Sequence, residues 1–184
     1  MVPHDIAGLI GLMGGSAPFL AKLSSAFGAD GGHYSLINQP DMLYPYLYTY
    51  VPGQAWRTQR QVRQDLSTLF DASRAGLPGN DDAGQTSSLL FFDMLGFYPA
   101  DPISGEYRLG SPVFTSATIH INLDYYPGTR FVLKAPASSD SARYIRSATL
   151  NGAQLRRASL SHATITAGGV LSLVMDSVPS TWGD

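Results

Sequence analysis

The sequence predicts an α+β protein, helical over residues 1–100 and strand-rich over residues 101–184, on three observations. Apolar residues recur at helical spacing up to about residue 100. Short runs of β-branched and aromatic residues follow. Gly, Pro and Asn-Gly steps punctuate those runs at strand-like intervals.

The helical elements come first. Ile6, Leu9, Ile10 and Met13 fall on one helical face, and Gly14-Gly15 ends the turn. Ala17 to Phe27 repeats the pattern, with Pro18 in a first turn, Leu20, Leu23 and Phe27 as a stripe, and Gly28 beyond it. Residues 33–39 read as a loop, and Asp41 to Tyr50 as a helix. Ala55 to Phe70 is the clearest amphipathic helix, with Val62, Leu66, Leu69 and Phe70 inward and Arg57, Arg60 and Arg63 outward. Ser87 to Leu95 reads as a buried apolar helix. Strands are expected at 111–114, 117–123, 130–135, 145–150 and 171–175. Asn151-Gly152 is a strong hairpin signal.

Composition narrows the function classes. Of 184 residues, 44% are hydrophobic, as in a globular chain. A net charge of −2 offers no electrostatic case for nucleic acid or an anionic membrane. Charged residues make up only 14%, against a usual share of about 25%; so little polar surface suits a piece that packs against something else. The absence of cysteine excludes disulfides, thiolate zinc sites and cysteine nucleophiles. No apolar run approaches the roughly 18 residues of a membrane span, so no membrane insertion is expected. The N-terminus does not read as a signal peptide, because Pro3, His4 and Asp5 precede any apolar run. Nucleotide-binding and serine-hydrolase glycine motifs do not occur.

The segment from Gly76 to Ser88 (GLPGNDDAGQTSS) carries the chemistry. A Gly/Pro-rich turn enters a helix through Asn80, Asp81 and Asp82, where free backbone N–H groups and the helix dipole favour carboxylates. Such a turn serves equally as a plain cap, as a general base on a rigid support, or as part of a calcium site.

Several further elements, in order, accompany it. They are Met1-Val2-Pro3-His4-Asp5, Leu9 to Gly15, Asn38-Gln39-Pro40-Asp41 followed by Pro45 to Tyr48, Gly53 to Gln59 (GQAWRTQ), Leu95 to Pro99 (LGFYP) and Gly105 to Pro112 (GEYRLGSP). Together with the Gly76–Gly84 loop they resemble glycoside hydrolase family 92 nearly end to end. That resemblance implies a secreted, calcium-dependent, inverting exo-α-mannosidase, extracellular or periplasmic. It implies that residues 1–100 are the last helices of an (α/α)6-type barrel, with an antiparallel sheet region packed beside them. Chains of that family are several times longer, so the resemblance covers a C-terminal portion. It implies that the true N-terminus, any signal and the general acid lie upstream, and that the N-terminal part of the enzyme is needed.

The resemblance also assigns roles. Asp82 is expected to be the base and Asn80 to orient water or a neighbouring hydroxyl. Asn38, Gln39, Trp56 and Asp81 are expected to contact a mannose-containing glycan, Trp56 by stacking. Gln39 and Asp41 are expected to contribute to a Ca2+ site. Gln39 departs from the family, which usually has Glu there; Gln keeps the shape and one acceptor but loses the charge. Glu106 is expected to be structural. The expected activity is release of terminal α-mannose, of the α-1,2-mannosidase or the mannosyl-phosphodiester type. The alternative is a non-catalytic truncated fragment or a partner-requiring subunit.

Overall fold

The computed structural model describes residues 3–28, 32–101 and 103–183. Met1 and Val2 of the first element lie outside them. The chain begins with α1 (Ile6–Leu12), capped by Asp5, whose Oδ1 accepts the Gly8 N–H at 2.8 Å. The helix α2 (Ser16–Ala26) follows. Its buried residues are Phe19, Leu23 and Ala26, and Leu20 and Phe27 of the expected stripe pack, partly buried, against the same cluster.

The expected helix at 41–50 is a 3-10 helix running Gln39–Tyr50, not an α-helix. Pro45 sits inside it. Proline lacks the N–H that an α-helical turn needs and clashes with the carbonyl four residues back, and the tighter winding avoids both. The helix α3 (Ala55–Thr68) is amphipathic as expected, but one of its arginines is inward. Arg63 is only 6% exposed. It donates to the Pro112 carbonyl at 2.8 Å and to Asp140 at 3.0 Å. A buried guanidinium is tolerated because both ends of its fork find acceptors. Leu69, expected inward, is exposed beyond the helix end.

The helix α4 (Gln85–Leu95) buries Leu89 and Leu95 but leaves Phe91 60% exposed, so it is not buried all round.

The strand-rich half holds β1 (Phe97–Asp101), β2 (Glu106–Leu109), β3 (Ser116–His120), β4 (Arg130–Lys134), β5 (Tyr144–Leu150), β6 (Ala153–Leu155), β7 (Ser159–Ser161), a short α5 (His162–Thr166) and β8 (Gly169–Asp176). The strand β1 crosses the position where the helical half was expected to end. One sheet is three-stranded and antiparallel, in the order β1-β2-β7. The other is five-stranded, β3-β4-β8-β5-β6. It is mixed rather than antiparallel, since β4 and β8 run parallel from Phe131↔Gly169 to Lys134↔Ser172. Antiparallel hairpin signals in a sequence say nothing of a strand that returns from far along the chain. Residues 111–114, expected as a strand, lie outside both sheets. The β5–β6 hairpin turns at Asn151-Gly152 with φ 51° and 84°, as that dipeptide predicts.

Alternation places Phe131, Leu133, Leu171, Leu173 and Met175 on one face of the larger sheet. There they pack with Ile145 and Phe97. Gln59 of α3 reaches into this half, its Oε1 accepting the Ile145 N–H at 3.0 Å. The fold is therefore mixed α+β. The helices described do not close a barrel.

Candidate functional site

Two irregular segments meet beside the helices. One is residues 36–39, leading into the 3-10 helix. The other is the loop 76–84, leading into α4. Gly79 brings them together: a Cβ there would meet the Ile37 Cα at 3.1 Å, and its φ of 69° favours glycine. Ile37, not singled out from the sequence, is the surface on which the loop rests.

The loop then turns through three successive left-handed residues, Asp82 (φ 45°), Ala83 (φ 61°) and Gly84 (φ 87°). For the two non-glycine residues this conformation costs about 1–3 kcal/mol each and persists only where surroundings enforce it. They do so here. The Thr86 hydroxyl donates to the Asn80 carbonyl at 3.0 Å, and the Thr86 N–H to the Asp81 carbonyl at 3.2 Å. Asp81 itself is tied to the start of α4. Its Oδ1 accepts the Ser87 N–H at 2.7 Å and its Oδ2 the Ser87 hydroxyl at 2.9 Å. Ser87 carries no capping-box spacing to Asp81, so sequence offers little signal for this pairing.

Asp82, one residue on, is exposed. Its Oδ2 accepts from the Gln39 Nε2. Adjacent carboxylates thus do different things: Asp81 caps a helix and Asp82 faces the open side of the loop. The structure brings Gln39 and Asp82 into contact, with Asn38 and Asn80 exposed on the same two segments. The Asp81 carboxylate is committed to Ser87. Trp56 is in the first turn of α3, half-buried, with the guanidinium groups of Arg57 and Arg60 each 5.1 Å from its ring centroid. The tyrosines of the 3-10 helix are mostly interior; Tyr46 is fully buried and its hydroxyl donates to Asp93. Glu106 lies in β2, paired with Arg157 at 3.6 Å.

Behind the two segments lies a cleft of about 570 Å³ between the end of α2 and α3, with Ile37 and Pro78 in its wall. Asp65 and Tyr34 line it. The Tyr34 hydroxyl donates to Asp65 at 2.8 Å, and Gln61 donates to the other carboxylate oxygen at 2.9 Å. Burial pushes the Asp65 carboxyl up to about 6, against the pull of those two donors. Burial likewise raises Asp93 well above the ordinary carboxylate range. Neither residue carries a motif in the sequence.

A family model described as the glycosyl hydrolase family 92 catalytic domain matches residues 1–177. The chain belongs to glycoside hydrolase family 92. A curated relative is an uncharacterized secreted glycosidase of Arthroderma benhamiae, 30% identical over 182 residues, which cover 99% of this chain and 23% of that protein. A family GH92 inverting mannosidase of Bacteroides thetaiotaomicron is 37% identical with a TM-score of 0.86, over 98% of this chain and 27% of the other. A family GH92 alpha-mannosidase of the same organism is 28% identical with a TM-score of 0.88, over 98% and 24%. The chain spans about a quarter of the length of these relatives.

Calcium, expected from family 92, takes six to eight oxygen ligands. Gln39 and Asp41 have different partners in the structure. Two residues apart on a 3-10 helix, their side chains leave the axis about 120° apart. Asp41 is buried and its Oδ2 accepts the Ser35 N–H at 3.1 Å, whereas Gln39 faces Asp82. No group of three or more acidic or histidine side chains stands close enough to hold a metal ion among the described residues.

Proposed function

We propose that this segment supplies the general base of an inverting exo-α-mannosidase. The observation that carries the reading is the division of labour in the loop: Asp81 is spent on the helix, while Asp82, on a strained and braced backbone, is exposed. Inversion needs a base and an acid on opposite sides of the glycosidic bond, about 6.5–9.5 Å apart so that a water fits between. Asp82 takes the proton of that water as it attacks the anomeric carbon. Asn80, exposed on the same loop, orients the water or a sugar hydroxyl, and Asn38 contacts the sugar. We assign the acid to polypeptide beyond this chain, as the family resemblance implies, and leave Glu106 to its pairing with Arg157 in the strand half.

A helical barrel completed by further polypeptide, and an extracellular or periplasmic location, belong to the same reading. A calcium requirement also belongs to it, with a cage that needs oxygens beyond Gln39 and Asp41. For the 184 residues by themselves we propose no turnover. Leu12, on α1, is 89% exposed, as a helix face awaiting a partner would be.

The test is hydrolysis of an α-1,2-mannobiose and of a mannosyl phosphodiester by the complete polypeptide carrying this segment, followed by NMR. Release of β-mannose as the first anomer, lost in Asp82→Asn, is expected. The faster of the two substrates assigns the leaving group. Release of α-mannose first, or full activity in Asp82→Asn, would overturn the reading.

A further inference from the structure

We propose that Gln39 is a positioning residue for Asp82, a role that rests on Asp82 being the base and replaces the ligand role expected for position 39. The Gln39 carboxamide meets the Asp82 carboxylate at Oδ2. A carboxylate only accepts, so the amide nitrogen must be the group that faces it. The pair is a charge-assisted hydrogen bond. One oxygen of Asp82 is held, and the other is left to accept from water.

Both arms of the contact are rigid. Gln39 opens the 3-10 helix, where Pro40 follows it and the Asp41 N–H closes a turn on the Asn38 carbonyl at 2.9 Å. Asp82 sits in the left-handed turn, with the Gln85 N–H on its carbonyl at 3.3 Å, Asp81 pinned by Ser87, and Gly79 pressed on Ile37. Neither backbone depends on the side-chain contact. Removing that contact frees the direction of the carboxylate without loosening the loop, and general-base catalysis is sensitive to direction.

The residue type at position 39 makes the role testable. A glutamate there is a better ligand for a metal ion and an equal partner for a sugar hydroxyl. It is a worse partner for Asp82, because two carboxylates without a proton between them repel. The two roles therefore predict opposite outcomes for one substitution.

The experiment measures kcat, KM and Tm in the complete polypeptide for Asp82→Asn, Gln39→Met and Gln39→Glu. Methionine keeps the length of the side chain and removes the donor. The expected result is a kcat about tenfold lower in Gln39→Met, which corresponds to one charge-assisted hydrogen bond. KM should stay within about twofold, as for an interaction used in the transition state, and Tm within about 2 °C, as for an exposed contact. Gln39→Glu should lose more kcat than Gln39→Met. Turnover in Gln39→Glu equal to or above that of the parent overturns the positioning role, as does a Gln39→Met defect confined to KM. If Asp82→Asn keeps parental turnover, the base assignment itself fails. If Asp82→Asn is inactive and Gln39→Glu is not impaired, only the role of Gln39 fails.

Discussion

In the strand-rich half, Phe131, Leu133, Ile145, Leu171 and Leu173 belong to a single apolar cluster that also takes in Leu95 and Phe97. In the helical half, the buried apolar residues fall into three smaller clusters, around Leu23 and Leu47, around Met42 and Leu89, and around Tyr46 and Val62. The polar interior differs in the same sense. The helical half buries Asp41, Asp65 and Asp93, together with Arg63 where α3 meets the strand half, whereas among the described residues the strand half buries only Ser and Thr of its own. A buried charge is unfavourable unless well partnered. The strand half thus builds one continuous core, closed at one side by α4. The helical half carries the candidate chemistry on an interior divided by ionisable groups.

The strongest way to break this contrast is Asp82→Asn in the complete polypeptide. Turnover should fall by about 10²–10⁴ with little change in KM, the span of a lost general base. A fall confined to KM would move Asp82 from chemistry to binding. Next, Phe131→Ala in the strand core should destabilise the chain by about 3–5 kcal/mol in urea unfolding. A loss below about 1 kcal/mol would show that this cluster is not the main core.

The third prediction concerns pH. The Asp65 carboxyl is raised to about 6, mainly by burial, from an unfolded value near 3.9. Between those values the folded chain holds a proton that the unfolded chain has lost, so stability falls as pH rises from about 4 to 6 and levels off above it. The fall should be about 2–3 kcal/mol, and Asp93, raised in the same direction, adds to it. Asp65→Asn should flatten the slope in urea midpoints taken across that range. An unchanged slope would remove Asp65 as its source.

Asp81→Ala should have a smaller effect, about 1 kcal/mol from the lost helix cap, with kcat falling less than in Asp82→Asn. A reversed order of the two in turnover would exchange their roles. Smallest of all, Leu12→Ser should change unfolding free energy by less than about 0.5 kcal/mol. It should reduce self-association of the isolated chain, which exposed apolar residues promote. A monodisperse parent chain in light scattering would count against that last expectation.

What could be read from the sequence follows the range of the interactions involved. Helices α1 to α4 and the Asn151-Gly152 turn are set by local spacing and local φ preference, and were legible. The 3-10 winding at 39–50 was not legible as such, because Pro45, which favours it, is a residue whose meaning depends on whether the turn is tight or wide. Strands β1 and β2 form a local hairpin whose strands are too short to carry a clear alternation, whereas β7 pairs with β2 across more than 50 residues, from Glu106↔Ser161 to Arg108↔Ser159, so no window along the chain contains the reason for it. The same holds for Arg63, which looked like a solvent-facing arginine until Pro112 and Asp140 supplied its acceptors. At the candidate site the loop itself was legible, because Gly, Asn and Asp at fixed offsets carry a conformational signal. The contact between Gln39 and Asp82 was not, because it spans 43 residues.

The place of β8 bears on how the protein is made. It lies in the middle of the five-stranded sheet, between β4 and β5, yet it is the last strand described in the chain. A ribosome working at roughly 5–20 residues per second needs about 1–4 s to pass from the end of β6 to the end of β8. During that interval β3–β4 and β5–β6 are two separate hairpins with open edges where the central strand will dock. Any nascent chain stalled in that window presents unpaired strand edges to its surroundings.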